Sequence, residues 1–104
     1  MVRSLNDLEG LPTGECIAET MIPFKNELAV IVSRNVEGQI KTYPVVEMEF
    51  HPEANQVEYV ICPARIDEKV AEKARSLALK VAEKIGLTGL LAVEMFQTAD
   101  DQIL

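Results

Sequence analysis

The sequence predicts an α+β domain, a largely antiparallel sheet with one long amphipathic helix packed on a face. Three observations carry that prediction. The runs "ELAVIVSRN" and "QIKTYPVVEMEF" flank "NVEG", and two strand-like runs around a short Asn- and Gly-containing loop read as a hairpin. The stretch "PARIDEKVAEKARSLALKVAEKIG" repeats apolar residues at helical spacing. A second apolar strand, "TGLLAVEMFQT", follows it.

Residues 1–15 form a polar lead-in carrying Gly10, Pro12 and Gly14. "CIAETMI" then reads as a short strand ending at Pro23. In the second run of the hairpin, Pro44 cannot donate to a ladder and predicts an edge position or a bulge. "HPEANQ" is a turn, and "VEYVIC" a third strand with Val57, Tyr59 and Ile61 on one face. The helix is predicted over 67–85, with Asp67 at the N-cap and Gly86 as the stop. Val70, Ala74, Leu77, Ala78, Val81, Ala82 and Ile85 form its apolar stripe. Glu68 lies early and Lys80 and Lys84 late, as the helix macrodipole favours.

In "LLAVEMF", alternation sets Leu90, Ala92, Glu94 and Phe96 on one face and Leu91, Val93 and Met95 on the other. Both faces are apolar, which predicts a central strand and a partly buried Glu94. "ADDQ" reads as a turn, and "IL" as the first residues of a return strand. A chain ending there is expected to be a fragment of a larger protein.

Composition narrows the function. The chain has 104 residues, enough for one small domain, and a formal net charge of −7. That acidic balance argues against nucleic acid and anionic membranes as partners. No apolar run approaches the ~20 residues of a membrane span, and the N-terminus lacks the apolar stretch of a signal peptide. Cys16 and Cys62 form no CxxC pair or disulfide framework, which favours a reducing cytoplasmic setting. They are expected to be buried as small apolar residues. His51, in a turn beside Pro52, is expected to be exposed, and no zinc site can be built on it. Walker, Rossmann and nucleophile-elbow motifs do not occur.

Three acids remain of interest. Glu94, alone in an apolar strand, is either paired with a basic side chain or a ligand for a hard cation such as Mg²⁺. Glu19 and Glu27 bracket a segment carrying Pro23 that is too short for another element. Its main-chain groups are partly free of a ladder and suited to reading the edge of a flat ring, with Glu27 able to accept from sugar hydroxyls. The plainer alternative is an ordinary strand connection with two exposed acids. Arg65, just ahead of the helix, is suited to an anion or simply to solvent.

Together, "CIAETMIPFKNELAVIVSRNVEGQIKTYPVVEMEF" and "SLALKVAEKIGLTGLLAVEMFQTADDQIL" resemble the central part of an ATP-grasp ligase. More narrowly, they resemble the ATPase subunit of phosphoribosylaminoimidazole carboxylase, from about Cys16 to Leu104. The resemblance implies a central portion of an ATP-grasp domain over 16–104. It implies ATP and Mg²⁺ as cofactors, and aminoimidazole ribonucleotide and bicarbonate as substrates of the full-length parent. The implied reaction is an ATP-dependent carboxylation of de novo purine synthesis through carboxyphosphate. Residue by residue, Glu19, Thr20, Met21 and Ile22 match the hinge that contacts adenine. Glu27 matches the acid on the ribose hydroxyls, and Glu94 the first of two magnesium carboxylates. No catalytic residue falls within the chain. An ungapped match sets Phe50, not His51, where the family commonly has a histidine approaching the nucleotide. The phosphate loop would lie upstream and the second metal carboxylate downstream, so the fragment alone is expected to be inactive. Exposed sheet edges suggest a homodimer. The alternatives are a sibling ATP-grasp carboxylase or purine-pathway synthetase, or a non-catalytic α+β interaction module in which Glu94 is structural.

Overall fold

The structure, a computed structural model, describes residues 2, 4–11, 13–54 and 56–104. A short 3-10 helix, Leu5–Gly10, precedes the sheet. The remaining elements are β1 (Phe24–Arg34), β2 (Ile40–Thr42), β3 (Val46–Phe50), β4 (Val57–Ile61), α1 (Glu68–Ile85) and β5 (Gly89–Thr98). Every pairing is antiparallel. β2 and β3 share one flank of β1, β4 pairs outside β3, and β5 runs along the opposite flank of β1. The predicted α+β architecture is the one formed.

The β1–β2 hairpin turns on Asn35. Its Oδ1 accepts from the backbone N–H of Glu37 and Gln39, and its Nδ2 donates to Gln39 Oε1. Gly38 takes φ 83° there, a left-handed value that glycine adopts without a Cβ penalty. The run holding Pro44 is split. β2 ends at Thr42, β3 starts at Val46, and the register against β1 slips by one residue between them. That is the bulge the proline predicts, on a strand piece that is also an edge.

α1 covers one face of the sheet. Leu28, Val30 and Val32 of β1 point into it with Met95 of β5, against Val70, Ala71, Ala74, Ala78 and Ala82. Ala74 and Ala78 are wholly buried, so the helix lies close on β1 with no side chain to hold it away. A fully buried Val or Leu contributes about 1.5–3 kcal/mol, which makes this interface the main stabilising feature. Asp67 is the N-cap residue, in extended conformation, and Gly86 closes the helix at φ 68°. No helix among the described residues is long and apolar enough to cross a membrane.

Four expectations need correction. Residues 15–23 form no strand. The β1 ladder begins only at Phe24, and strand propensity without a neighbour yields an extended chain, not a strand. Cys16 and Cys62 are exposed instead of buried, because one lies in that segment and the other in the bend after β4. Ile85, assigned to the apolar stripe, is 62% exposed on the last turn, beyond the width of the sheet. The central, partly buried setting expected of Glu94 also fails, as described next.

Candidate functional site

β5 is apolar on both sides, yet only one side is covered. Met95 is buried beneath α1, whereas Leu90 is 68% exposed and Glu94 is exposed on the opposite face. Along its outer flank, among the described residues, β5 is paired only near its end. There Phe96 and Leu104 exchange backbone hydrogen bonds and the Thr98 N–H donates to the Gln102 carbonyl, so the expected return strand begins there. The apolar pattern cannot tell a covered face from an uncovered one, which is why Glu94 reads as buried in the sequence.

The uncovered face gathers the sequence-predicted acids of the sheet. In the β1–β5 ladder, Glu94 stands opposite Ala29 and Glu27 opposite Phe96. Cross-strand partners share a face, so Glu27 and Glu94 are diagonal neighbours on it. Partial burial of Glu27, helped by the negative charge of Glu94, raises its carboxyl above the ordinary range. Phe24 stacks on Phe96 beside them, with ring centroids 4.9 Å apart. Among the described residues no group of three or more His, Cys, Asp or Glu side chains converges on a metal position.

The segment preceding β1 supplies a second component. Glu19, Thr20 and Met21 are exposed and Ile22 is half-buried, in backbone that belongs to no ladder. A hollow of about 520 Å³ beside it is lined by Leu11, Cys16, Ile17, Glu19 and Met21, among others. Residues 19–22 therefore lie apart from the Glu27–Glu94 pair along the chain but lead directly into its strand.

Sequence reasoning missed Glu47 and left Arg65 open. Glu47, 6% exposed, points to the helix side of β3 and receives the backbone N–H and Nε of Arg65 on Oε2, both at 3.1 Å. Arg65 Nη2 reaches Glu47 Oε1 at 2.7 Å and also pairs with Glu49. The hydrogen bonds from Arg65 hold the Glu47 carboxyl below the ordinary range, and the two acids push the guanidinium up. Arg65 is thus paired with two carboxylates, with its side chain still 59% exposed. The signal was present in "VVEMEF": Glu47 and Glu49 alternate onto the same face as buried Val45. A hollow of about 400 Å³ joins Glu27 to this cluster. His51 is exposed, and its Nδ1 accepts from the backbone N–H of Glu53 and Ala54.

The ATP-grasp domain family model matches residues 2–104. The chain belongs to the ATP-grasp family. N5-carboxyaminoimidazole ribonucleotide synthase of Bacillus subtilis (strain 168) is 45% identical over 94 residues, 90% of this chain and 24% of that protein. The crystal structure of N5-carboxyaminoimidazole ribonucleotide synthetase from Thermotoga maritima is 40% identical and superposes with a TM-score of 0.84, over 97% of this chain and 26% of that one. The synthase of Aspergillus clavatus, solved in complex with ADP and 5-aminoimidazole ribonucleotide, is 33% identical with a TM-score of 0.69, over 81% of this chain and 22% of that one. The chain spans about a quarter of the length of these relatives.

Proposed function

We propose that this chain is the adenine- and ribose-facing part of an ATP-dependent carbon–nitrogen ligase of purine biosynthesis. The reaction joins aminoimidazole ribonucleotide, bicarbonate and ATP to give N5-carboxyaminoimidazole ribonucleotide, ADP and phosphate through carboxyphosphate. The observation that carries the reading is the diagonal placement of Glu27 and Glu94 on the sheet face that α1 leaves open. Two like charges so placed are unfavourable by themselves and favourable once a cation or hydroxyl donors stand over them. Similarity to a relative solved with ADP supports a nucleotide as that partner.

In this reading the main chain of Glu19, Thr20, Met21 and Ile22 reads the adenine edge, since its N–H and C=O groups are not committed to a ladder. Glu27 accepts hydrogen bonds from the ribose hydroxyls. Glu94 would be the residue that holds Mg²⁺. The residues fit that ion, because an exposed carboxylate with a second one nearby is hard oxygen donor chemistry. Bound there, magnesium would offset the phosphate charge during phosphoryl transfer. Phe24 and Phe96 stack beside the pair.

Titration calorimetry of the chain with ATP, with and without Mg²⁺, tests the proposal. Binding is expected to require the metal and to weaken by about tenfold or more in Glu94→Ala. Equal, metal-independent affinity in both proteins would refute the assignment of Glu94.

A further inference from the structure

The two-carboxylate placement depends on strand register, and the apolar pattern does not fix that register. Leu28, Val30 and Val32 of β1 and Leu91, Val93 and Met95 of β5 specify which face meets α1. A slip of two residues would keep every one of them on that face. It would also destroy the diagonal relation of Glu27 to Glu94. The ladder is weakest where it is interrupted: Phe24 pairs with Thr98 and Asn26 with Gln97, leaving Lys25 as the extra residue of a bulge.

Gln97 sits at that point, 2% exposed among the core residues. Asn26 Nδ2 donates to its Oε1 at 2.8 Å, and its Nε2 donates to Asp101 Oδ1 at 2.6 Å. The direction of the chain of bonds is determined from one end. A carboxylate only accepts, so the Gln97 nitrogen must face Asp101, its oxygen must face Asn26, and Asn26 must present nitrogen. Asp101 takes φ 59° in the turn after β5, and its carbonyl accepts from Lys73 of α1 at 3.0 Å. The relay therefore ties β1, β5, the following turn and the helix to one another. Among the described residues no buried side-chain N or O atom lacks a partner. A two-residue slip of β1 would carry Asn26 away from Gln97 and leave the buried Gln97 Oε1 without its donor, while Nε2 keeps the local bond to Asp101.

We propose that Gln97, bridged to Asn26 and Asp101, is a positioning residue that selects the β1–β5 register and thereby sets Glu94 diagonal to Glu27. The proposal rests on the nucleotide reading only for its functional consequence. A buried amide whose cross-strand partner, here Asn26, exists in one alignment alone is a known physical means of fixing register, at some expense of stability.

Two readouts test it on the chain as it stands. Cross-strand nuclear Overhauser contacts between residues 29 and 94 and between 27 and 96 report the register. Titration with Mg²⁺–ADP reports the site. Gln97→Leu keeps the volume and removes the amide, and Asn26→Ala removes the outer partner at a half-buried position where folding is less at risk. Both are expected to weaken those contacts or add a second set, and to lower Mg²⁺–ADP affinity by about tenfold. Asp101→Asn keeps an acceptor and tolerates the left-handed backbone, so it is expected to preserve the contacts and stay within about twofold of the parent. A single unchanged register in Gln97→Leu and Asn26→Ala overturns the proposal. If the parent chain shows the expected register and binds no nucleotide, this chain does not hold the nucleotide by itself. The register result in the variants then still decides the role of Gln97.

Discussion

Replacing Glu94 by Gln isolates the electrostatics of the open face. Glu94 stands opposite Ala29 and Glu27 opposite Phe96, and diagonal neighbours in an antiparallel pair lie ~7–8 Å apart. At about 7 Å two like charges repel by about 0.6 kcal/mol in bulk water and about 2.4 kcal/mol at an effective dielectric constant near 20. Glu94 is exposed and Glu27 half-buried, so the lower part of that range applies, about 0.5–1 kcal/mol at low salt. Urea unfolding is expected to show Glu94→Gln more stable than the parent by that amount at neutral pH. The gain should shrink at high salt. It should also shrink in acid, as Glu27 takes up its proton in the parent. The sign follows from the raised carboxyl of Glu27. Its folded form binds a proton more readily than the unfolded chain, so its penalty is full above the folded value and is relieved as pH falls through it. Burial is the larger cause of that shift, so Glu94→Gln should lower the Glu27 titration without returning it to the ordinary range. A destabilised variant, or a gain indifferent to both salt and pH, would refute this account of the face.

Glu47 predicts the opposite pH behaviour. Its carboxyl is held low by Arg65, so its stabilisation is present above the unfolded carboxylate range and lost as pH falls through the lower folded value. Glu47→Gln should lower stability at neutral pH by about 1–3 kcal/mol and flatten the acid limb of the urea-midpoint profile. Leu28→Ala, at a wholly buried position under α1, should cost about 2–5 kcal/mol by calorimetry or urea unfolding. β2 and β4 leave sheet edges open, and Val57, Tyr59 and Val60 of β4 are all exposed. Edge pairing to a second copy is therefore expected as a dimer in sedimentation equilibrium. A monomer across the accessible concentration range would exclude it.

Local chemistry in the sequence determined most of the architecture. The helix follows from a stripe spaced at 3.6 residues between a capping Asp67 and a left-handed Gly86, and the first hairpin from Asn35 and Gly38. The bulge at Pro44 follows from a missing N–H. These are decided by residues a few positions apart, so one-dimensional pattern suffices. The candidate acids were legible in the same local way, Glu94 as a charge interrupting an apolar run and Glu27 as the acid that, with Glu19, brackets the Pro23 segment.

What only the tertiary structure decided is what lies over each face and which distant residues meet. Both faces of β5 are apolar, yet α1 can cover only one. Its position over Leu28, Val30 and Val32 leaves Glu94 exposed on the other. The segment 15–23 has strand composition but no neighbouring strand, and hydrogen-bonded pairing is a property of two strands. Arg65 meets Glu47 because the β4–α1 connection returns across β3. Asn26 meets Gln97 across a bulge that no local pattern announces. Alternation with a period of two fixes which face a residue occupies, and it leaves the alignment of one strand on the next to specific partners such as these.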